Sequence, residues 1–220
     1  MKRTIALAIA FAAAPLLDSI GAQSVEGTAV VRALRGSAKY TTGGGVWATV
    51  KVGTIFRPGS TILTEAGSSV DFFLDGNGQF LRVTPDTTMT FEKLGITRTN
   101  GENVIDTQLN LMSGRILGSV KKLAEASRYE INFPSGRAGI RGATDYDINL
   151  VHFDGEKSMV DLSCVTGQVV AAKVFNGGGS TAVLGEGQTW NSERRGPPAP
   201  LTRAQHDALK REFDDLVKTK

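Results

Sequence analysis

Apolar residues recur at every second position along much of the chain, which is the period of a β-strand with one buried face. Val70, Phe72 and Leu74 alternate with other side chains, residues 75–78 tolerate positive φ, and a second apolar run follows at 80–83. This order predicts a β-hairpin. The same alternation appears at Leu109 and Leu111, at Tyr129, Ile131 and Phe133, at Tyr146, Ile148 and Leu150, and at Val160, Leu162 and Cys164.

Turn residues separate these segments from about residue 28 to about residue 183. Glycine, asparagine, aspartate and proline recur between the apolar runs, as they do between short strands. No helical period lies between the runs, so parallel βαβ units are not expected. The pattern predicts an all-β chain with a single layered β domain, and it leaves an elongated sandwich, a roll and a short β-solenoid open.

The N-terminus has the layout of a secretory signal peptide. Lys2 and Arg3 precede an uncharged run at 5–17, and small residues lead up to Ala22. As a helix the run would span roughly 20 Å, against about 30 Å for a bilayer core. We expect residues 1–22 to be removed, which would leave a periplasmic or secreted chain with no stable membrane span. The alternative is an uncleaved N-terminal anchor.

The C-terminal part of the chain lacks the strand pattern of the preceding residues. Residues 191–201 contain Pro197, Pro198 and Pro200, which favour a stiff, extended spacer. The spacer would separate a β domain at 23–190 from a terminal segment at 202–220.

The terminal segment predicts an amphipathic α-helix. Thr202 and Gln205 form a capping-box pattern, and Leu209, Phe213 and Leu216 recur at helical spacing. Such an apolar stripe can pack on the chain's own β domain. Alternatively, these three side chains contact a partner.

The amino-acid composition argues against several classes of function. Twenty-five basic and 22 acidic residues are interspersed, with a formal net charge of +3, which argues against a nucleic-acid footprint. The two histidines and one cysteine show no metal-ligand spacing, so neither a metal nor another cofactor is expected. Cys164 alternates with Leu162 and Val160 and is interpreted as a small buried residue.

Five aspartates on or next to the predicted strands are candidates for paired catalytic carboxylates, as in glycoside hydrolysis. They are Asp71, Asp75, Asp145, Asp147 and Asp154. Their alternation with apolar residues favours a solvated strand face instead. A non-enzymatic chain is therefore expected.

The most distinctive motif lies between residues 133 and 148. It comprises Ile140, Arg141, Gly142, Thr144, Tyr146 and Ile148. The motif, with the flanking strands from about residue 29 to about residue 189, resembles the FecR domain. In that family's pattern the threonine directly follows the glycine, whereas Ala143 stands between them here, which predicts a β-bulge. We interpret the motif as structural, with Arg141 pairing with Asp145 or Asp147 or with carbonyl groups across the bend.

The resemblance implies a function as well as a fold. The family's best-known members are membrane regulators that relay a signal from the outer membrane to a cytoplasmic sigma factor, and this sequence resembles only their outer domain. The leading hypothesis is an exported, non-catalytic interaction module of the cell envelope that binds a protein or an envelope polymer through a sheet face or edge. The alternatives are a polysaccharide-binding or carbohydrate-active protein using Trp47, Tyr40 or Trp190, and a signalling or structural assembly component. The sequence leaves the partner's identity and the oligomeric state open.

Overall fold

A computed structural model describes residues 23–219, except 44, 77, 100–101, 154–157, 176–177 and 195. The predicted signal peptide lies outside the described residues. The strands are β1 (Gln23–Glu26), β2 (Ala29–Arg35), β3 (Ala38–Thr41), β4 (Ala48–Thr49), β5 (Ile55–Phe56), β6 (Thr61–Thr64), β7 (Ser69–Leu74), β8 (Gln79–Val83), β9 (Thr88–Thr99), β10 (Glu102–Val120), β11 (Arg128–Phe133), β12 (Gly136–Phe153), β13 (Ser158–Phe175), β14 (Gly178–Leu184), β15 (Gln188–Asn191) and β16 (Ala199–Pro200). One helix, α1 (Arg203–Lys218), follows them. The prediction of an all-β chain with a C-terminal helix is confirmed.

Hydrogen bonds join the sixteen strands of the described residues into one sheet that does not close. The sheet folds over on itself because the long strands β10, β12 and β13 each contribute one half to either side. We call one side the helix-side layer; it contains β2, β5, β7, β8, β15, β16, the C-terminal halves of β10 and β12, and the N-terminal half of β13. We call the other side the open layer; it contains β1, β3, β4, β6, β9, β11, β14 and the remaining halves of the long strands.

Each long strand has a glycine with positive φ near the point where it passes between the layers. The angles are 84° at Gly114, 67° at Gly142 and 81° at Gly167. Residues other than glycine rarely adopt a positive φ, so these glycines permit the sharp bends. At Gly114 a Cβ atom would also lie 2.2 Å from Thr87 Oγ1.

β10 also explains the one parallel pairing among the described strands. Its N-terminal half lies in the open layer and its C-terminal half in the helix-side layer. The chain then returns to the open layer as β11, which pairs in parallel with the start of β10. The segment thus makes one coil of the kind that stacks in a solenoid.

The predicted hairpin is confirmed as β7 and β8. They pair antiparallel, with Val70 opposite Val83 and Leu74 opposite Gln79. Phe72 on β7 is fully buried and packs against Phe91 of the open layer, with ring centroids 5.2 Å apart. The core therefore lies between the two layers, and the apolar residues predicted to face inward are buried in it.

A tyrosine pair also connects the two layers. The hydroxyl groups of Tyr129 on β11 and Tyr146 on β12 lie 3.0 Å apart, and both side chains are buried. Burial raises the pKa of Tyr129 to about 12, so its hydroxyl stays protonated at neutral pH. Gly118 leaves room for Tyr146, because a Cβ atom there would lie 2.1 Å from Tyr146 Cζ.

The tyrosine pair gives a testable prediction. Tyr129→Phe should lower the free energy of unfolding by about 1–2 kcal/mol, because Tyr146 loses its hydrogen-bond partner inside the core. The double variant Tyr129→Phe/Tyr146→Phe should cost less than the sum of the single changes, since no hydroxyl is then left unpaired. Urea unfolding of the four proteins measures this coupling. Additive losses would contradict it.

Candidate functional site

Helix α1 packs on the outside of the helix-side layer. Leu209, Phe213 and Leu216 are buried there, in a cluster that also contains Phe80, Leu117 and Val165 of the sheet. The side chains proposed for a partner contact are therefore covered by the chain's own sheet. The capping box is present, with the Thr202 side chain accepting from the backbone N–H of Gln205.

Arg82 links the helix to the sheet beside this cluster. Its Nε donates to Asp71 Oδ1 at 2.6 Å and its Nη2 to Asp71 Oδ2 at 2.7 Å. The same Nη2 donates to Asp215 of α1 at 2.9 Å, and Arg35 of β2 donates to that carboxylate at 3.0 Å. Hydrogen bonding to Asp71 raises the pKa of Arg82. A buried ion pair on the sheet thus also holds the helix.

Arg115 makes a second link one strand further along. It donates to Asp147 through Nε at 2.7 Å, and both of its terminal nitrogens lie 3.1 Å from Glu212 of α1. Burial opposes the charge of Arg115, but the attraction of the two carboxylates keeps its pKa raised. Burial also raises the pKa of Asp147, against the effect of Arg115. We call Arg82 and Arg115 the bridging arginines.

A groove of about 850 Å³ opens beside Arg115, and it is the candidate site. Its floor is formed by strands of the helix-side layer, one wall by α1 and the other by the proline-containing segment. This volume falls within the usual range for ligand sites, about 300–1,000 Å³. The proline-containing segment, expected to be a spacer, ends in β16, where Ala199 and Pro200 pair with β15.

The groove offers both charged and apolar contacts. Asp161 on the floor accepts from the Asn191 amide at 2.6 Å, and Arg194 stands at the exposed end of the second wall. Leu209 and Leu201 supply apolar surface. This mixture suits a polypeptide segment, which presents both backbone amides and side chains.

The FecR-like motif lies at and just after the bend of β12, and none of its six residues lines the groove. Its buried members are Ile140, Thr144, Tyr146 and Ile148. Thr144 donates to the carbonyl of Arg141 at 2.7 Å and accepts from the backbone N–H of Gln168 at 3.3 Å. The strand register shifts between Arg141 and Asp145, so the bulge predicted around Ala143 is confirmed.

The ion pair proposed for Arg141 is not formed. Its side chain is exposed and takes part in none of the ion pairs between described residues. Asp147 is bound by Arg115, and Asp145 accepts from the Thr166 hydroxyl at 3.1 Å. The bulge puts Arg141, Gly142 and Ala143 on the surface, and Thr144 closes the bend instead.

The aromatic residues considered for sugar stacking do not form a platform. Trp190 is 4% exposed and belongs to the core, and Tyr40 packs on Phe56 with ring centroids 5.0 Å apart. Trp47 is 45% exposed. Cys164 is buried, as predicted.

The described residues contain no group of three or more His, Cys, Asp or Glu side chains placed to hold a metal ion. No helix in the described part of the chain has the length and apolar character needed to cross a membrane.

The sequence analysis missed the bridging arginines, which hold α1 beside the groove. Asp71 and Asp147 were interpreted as members of a solvated face, but their side chains are 2% and 13% exposed because α1 covers that face. The sequence does contain a signal for the pair of Asp71 and Arg82. A hairpin that turns at 75–78 places Asp71 directly opposite Arg82.

Two solved structures are similar to part of this chain. Two crystal structures of a "putative anti-sigma factor" from Parabacteroides distasonis, at 2.50 and 1.65 Å, align with TM-scores of 0.48 and 0.47 at 12% and 13% identity. The alignments cover 68% of this chain and 63% and 64% of those chains, so this chain spans less than two thirds of their length. No curated protein matches the sequence.

A match to a family model shows which protein family this chain belongs to. The model described as FecR protein matches residues 60–170, from the start of β6 into β13. The matched region includes both bridging arginines and the whole motif at the β12 bend, and it makes up half of the 220 residues. The chain belongs to the FecR family.

Proposed function

We propose that the chain is an exported, non-catalytic regulatory module of the cell envelope that binds a protein partner in the groove beside α1. Membership of the FecR family carries the regulatory role. The groove supports the choice of site, because it is a concave surface lined by α1, the proline-containing segment and the sheet. Export is supported by the sequence of residues 1–22.

The construction of the groove suits a regulatory role. Its helical wall is held by the bridging arginines and by one apolar cluster, so small movements of α1 change the width of the groove. A partner that favours one position of α1 shifts the population toward that position by its difference in affinity. Occupancy of the groove is thereby linked to the state of the whole C-terminal segment.

The function is tested by blocking the groove without disturbing the fold. Ala208 on α1 lines the groove and is half-buried, so Ala208→Trp should fill part of it. Ala204 lies one turn earlier on the same helix, is exposed and is not part of the groove lining, so Ala204→Trp is the matched control. In the source organism, deletion of the gene should change the transcript profile. The wild type and Ala204→Trp should restore it, and Ala208→Trp should not.

Two further experiments in the source organism test whether the protein is exported and whether a partner binds in the groove. The protein should be found in the periplasmic or secreted fraction with Gln23 as its first residue. A photo-crosslinking amino acid at position 208 should give an adduct with an envelope protein, and the same amino acid at position 204 should not. An unchanged transcript profile after deletion, or full restoration by Ala208→Trp, would reject the regulatory proposal.

A further inference from the structure

We infer that β14 is a dimerisation edge, at which the β14 strands of two copies pair antiparallel across a two-fold axis. β14 pairs antiparallel with β13 alone, from Gly178 opposite Phe175 to Leu184 opposite Val169. Its other edge faces away from the sheet, and a strand edge of this kind presents backbone N–H and C=O groups to another chain.

β14 differs from the other described strands that pair on one side only. β4, β5 and β16 have two residues each, and β16 contains Pro200. β1 has four residues and ends at Glu26, which forms an ion pair with Arg57. β14 has seven residues, and none of them is charged or a proline. Short length, charge and proline are the usual protections of an edge, and β14 has none of the three.

The side chains of β14 fit this role. Ala182 and Leu184 point into the core and fix the strand on its domain. Thr181 and Val183 point outward, and Val183 is 55% exposed. Across β13, Val170 stands opposite Val183 and Ala172 opposite Thr181, and both are half-buried. The edge is thus bordered by a small apolar surface.

A second copy of the chain matches this edge in charge and symmetry. A strand paired antiparallel with its own copy forms a closed, self-complementary interface. Since every residue of β14 is uncharged, no register brings like charges together. Lys173 on β13 is buried and donates to Ser192 Oγ at 3.3 Å.

The nearest exposed cations on the open layer are too distant to oppose the pairing. Arg137 and Arg141 lie on β12, two strands in from the edge. In the joined sheet, corresponding arginines of the two copies would be five strand spacings apart, roughly 24 Å. The screening length at physiological salt is about 8 Å, so their repulsion is small.

Sedimentation equilibrium of the exported protein tests the inference. The wild type should dimerise reversibly as its concentration rises. Val183→Lys places two ammonium groups at each interface and should raise the dissociation constant at least about tenfold. Val46→Lys is the matched control, because Val46 is 80% exposed in the connection between β3 and β4, and this variant should dimerise like the wild type.

Two results would overturn the inference. One is a wild type that stays monomeric up to about 100 µM, the weak end of specific association. The other is a dimer that Val183→Lys leaves intact. Circular dichroism checks the fold of each variant, and Thr181→Lys, at another exposed position of β14, decides the question if Val183→Lys does not fold. The groove lies on the helix-side layer, so failure here leaves the proposed function standing.

Discussion

Asp71→Ala should lower the free energy of unfolding by about 3–5 kcal/mol, which is the cost of leaving one member of a buried ion pair without its partner. The side chain of Arg82 is 8% exposed and would retain only Asp215, whose carboxylate is 52% exposed. Chemical denaturation of the exported protein measures the loss. The helix should also be less protected from hydrogen exchange, because Arg82 would no longer be held in position to bind Asp215.

A surface ion pair provides the matched control for this prediction. Lys93 and Asp106 pair across β9 and β10, and their side chains are 52% and 33% exposed. Asp106→Ala should therefore cost no more than about 1 kcal/mol. Replacing both members of the buried pair, as Asp71→Leu/Arg82→Met, should recover most of the stability lost in Asp71→Ala. Equal losses in Asp71→Ala and Asp106→Ala would contradict the buried-pair interpretation.

The buried pair also shows how far the sequence predicts this molecule. Strand alternation identifies the hairpin of β7 and β8, and the hairpin turn fixes Asp71 opposite Arg82. Alternation alone assigns both residues to the face away from the core. That face is buried because α1 covers it, and the position of a helix some 130 residues later in the chain depends on tertiary packing. The elements were therefore predictable, but the burial of their outer face was not.

The β12 bend shows a different limit. The extra residue, Ala143, correctly indicates a bulge. The direction of each side chain within a bulge does not follow from a period of two, because the insertion changes which face the next residues occupy. Arg141 was expected to form a structural ion pair or to donate to carbonyl groups across the bend, but its side chain is exposed, and Thr144 makes the local hydrogen bonds. Similarly, Trp190 was considered for a surface role and belongs to the core.

The groove depends on long-range placement for the same reason. Its walls come from the helix and from the proline-containing segment. The sequence predicted a spacer for the segment, and for the helix either packing on the chain's own β domain or a partner contact. Leu209 serves both structures, since it is buried in the helix cluster and lines the groove. Docking of α1 and formation of the groove are therefore one event, and a variant that releases the helix should remove the site.

Phe213→Ala should release α1 from the sheet while the layered domain stays folded. The aromatic ring is 4% exposed within the cluster on the helix-side layer, and large-to-small changes of this kind cost about 3–5 kcal/mol. The lost free energy stabilises the contact of a single helix with the outside of the sheet. The helix should therefore detach and unfold while the β domain stays folded. Hydrogen exchange should show lost protection across Arg203–Lys218 and retained protection in β11 and β12.

Lys210→Ala is the control for this change, because Lys210 is exposed on the same helix and alanine preserves helix propensity. It should leave the exchange of α1 unaltered. The crosslink from position 208 should disappear in Phe213→Ala and persist in Lys210→Ala, since the groove loses its wall only in the first variant. Equal loss of protection in α1 and in β11 would mean that helix and sheet unfold as one unit, and α1 could then not act as a movable wall.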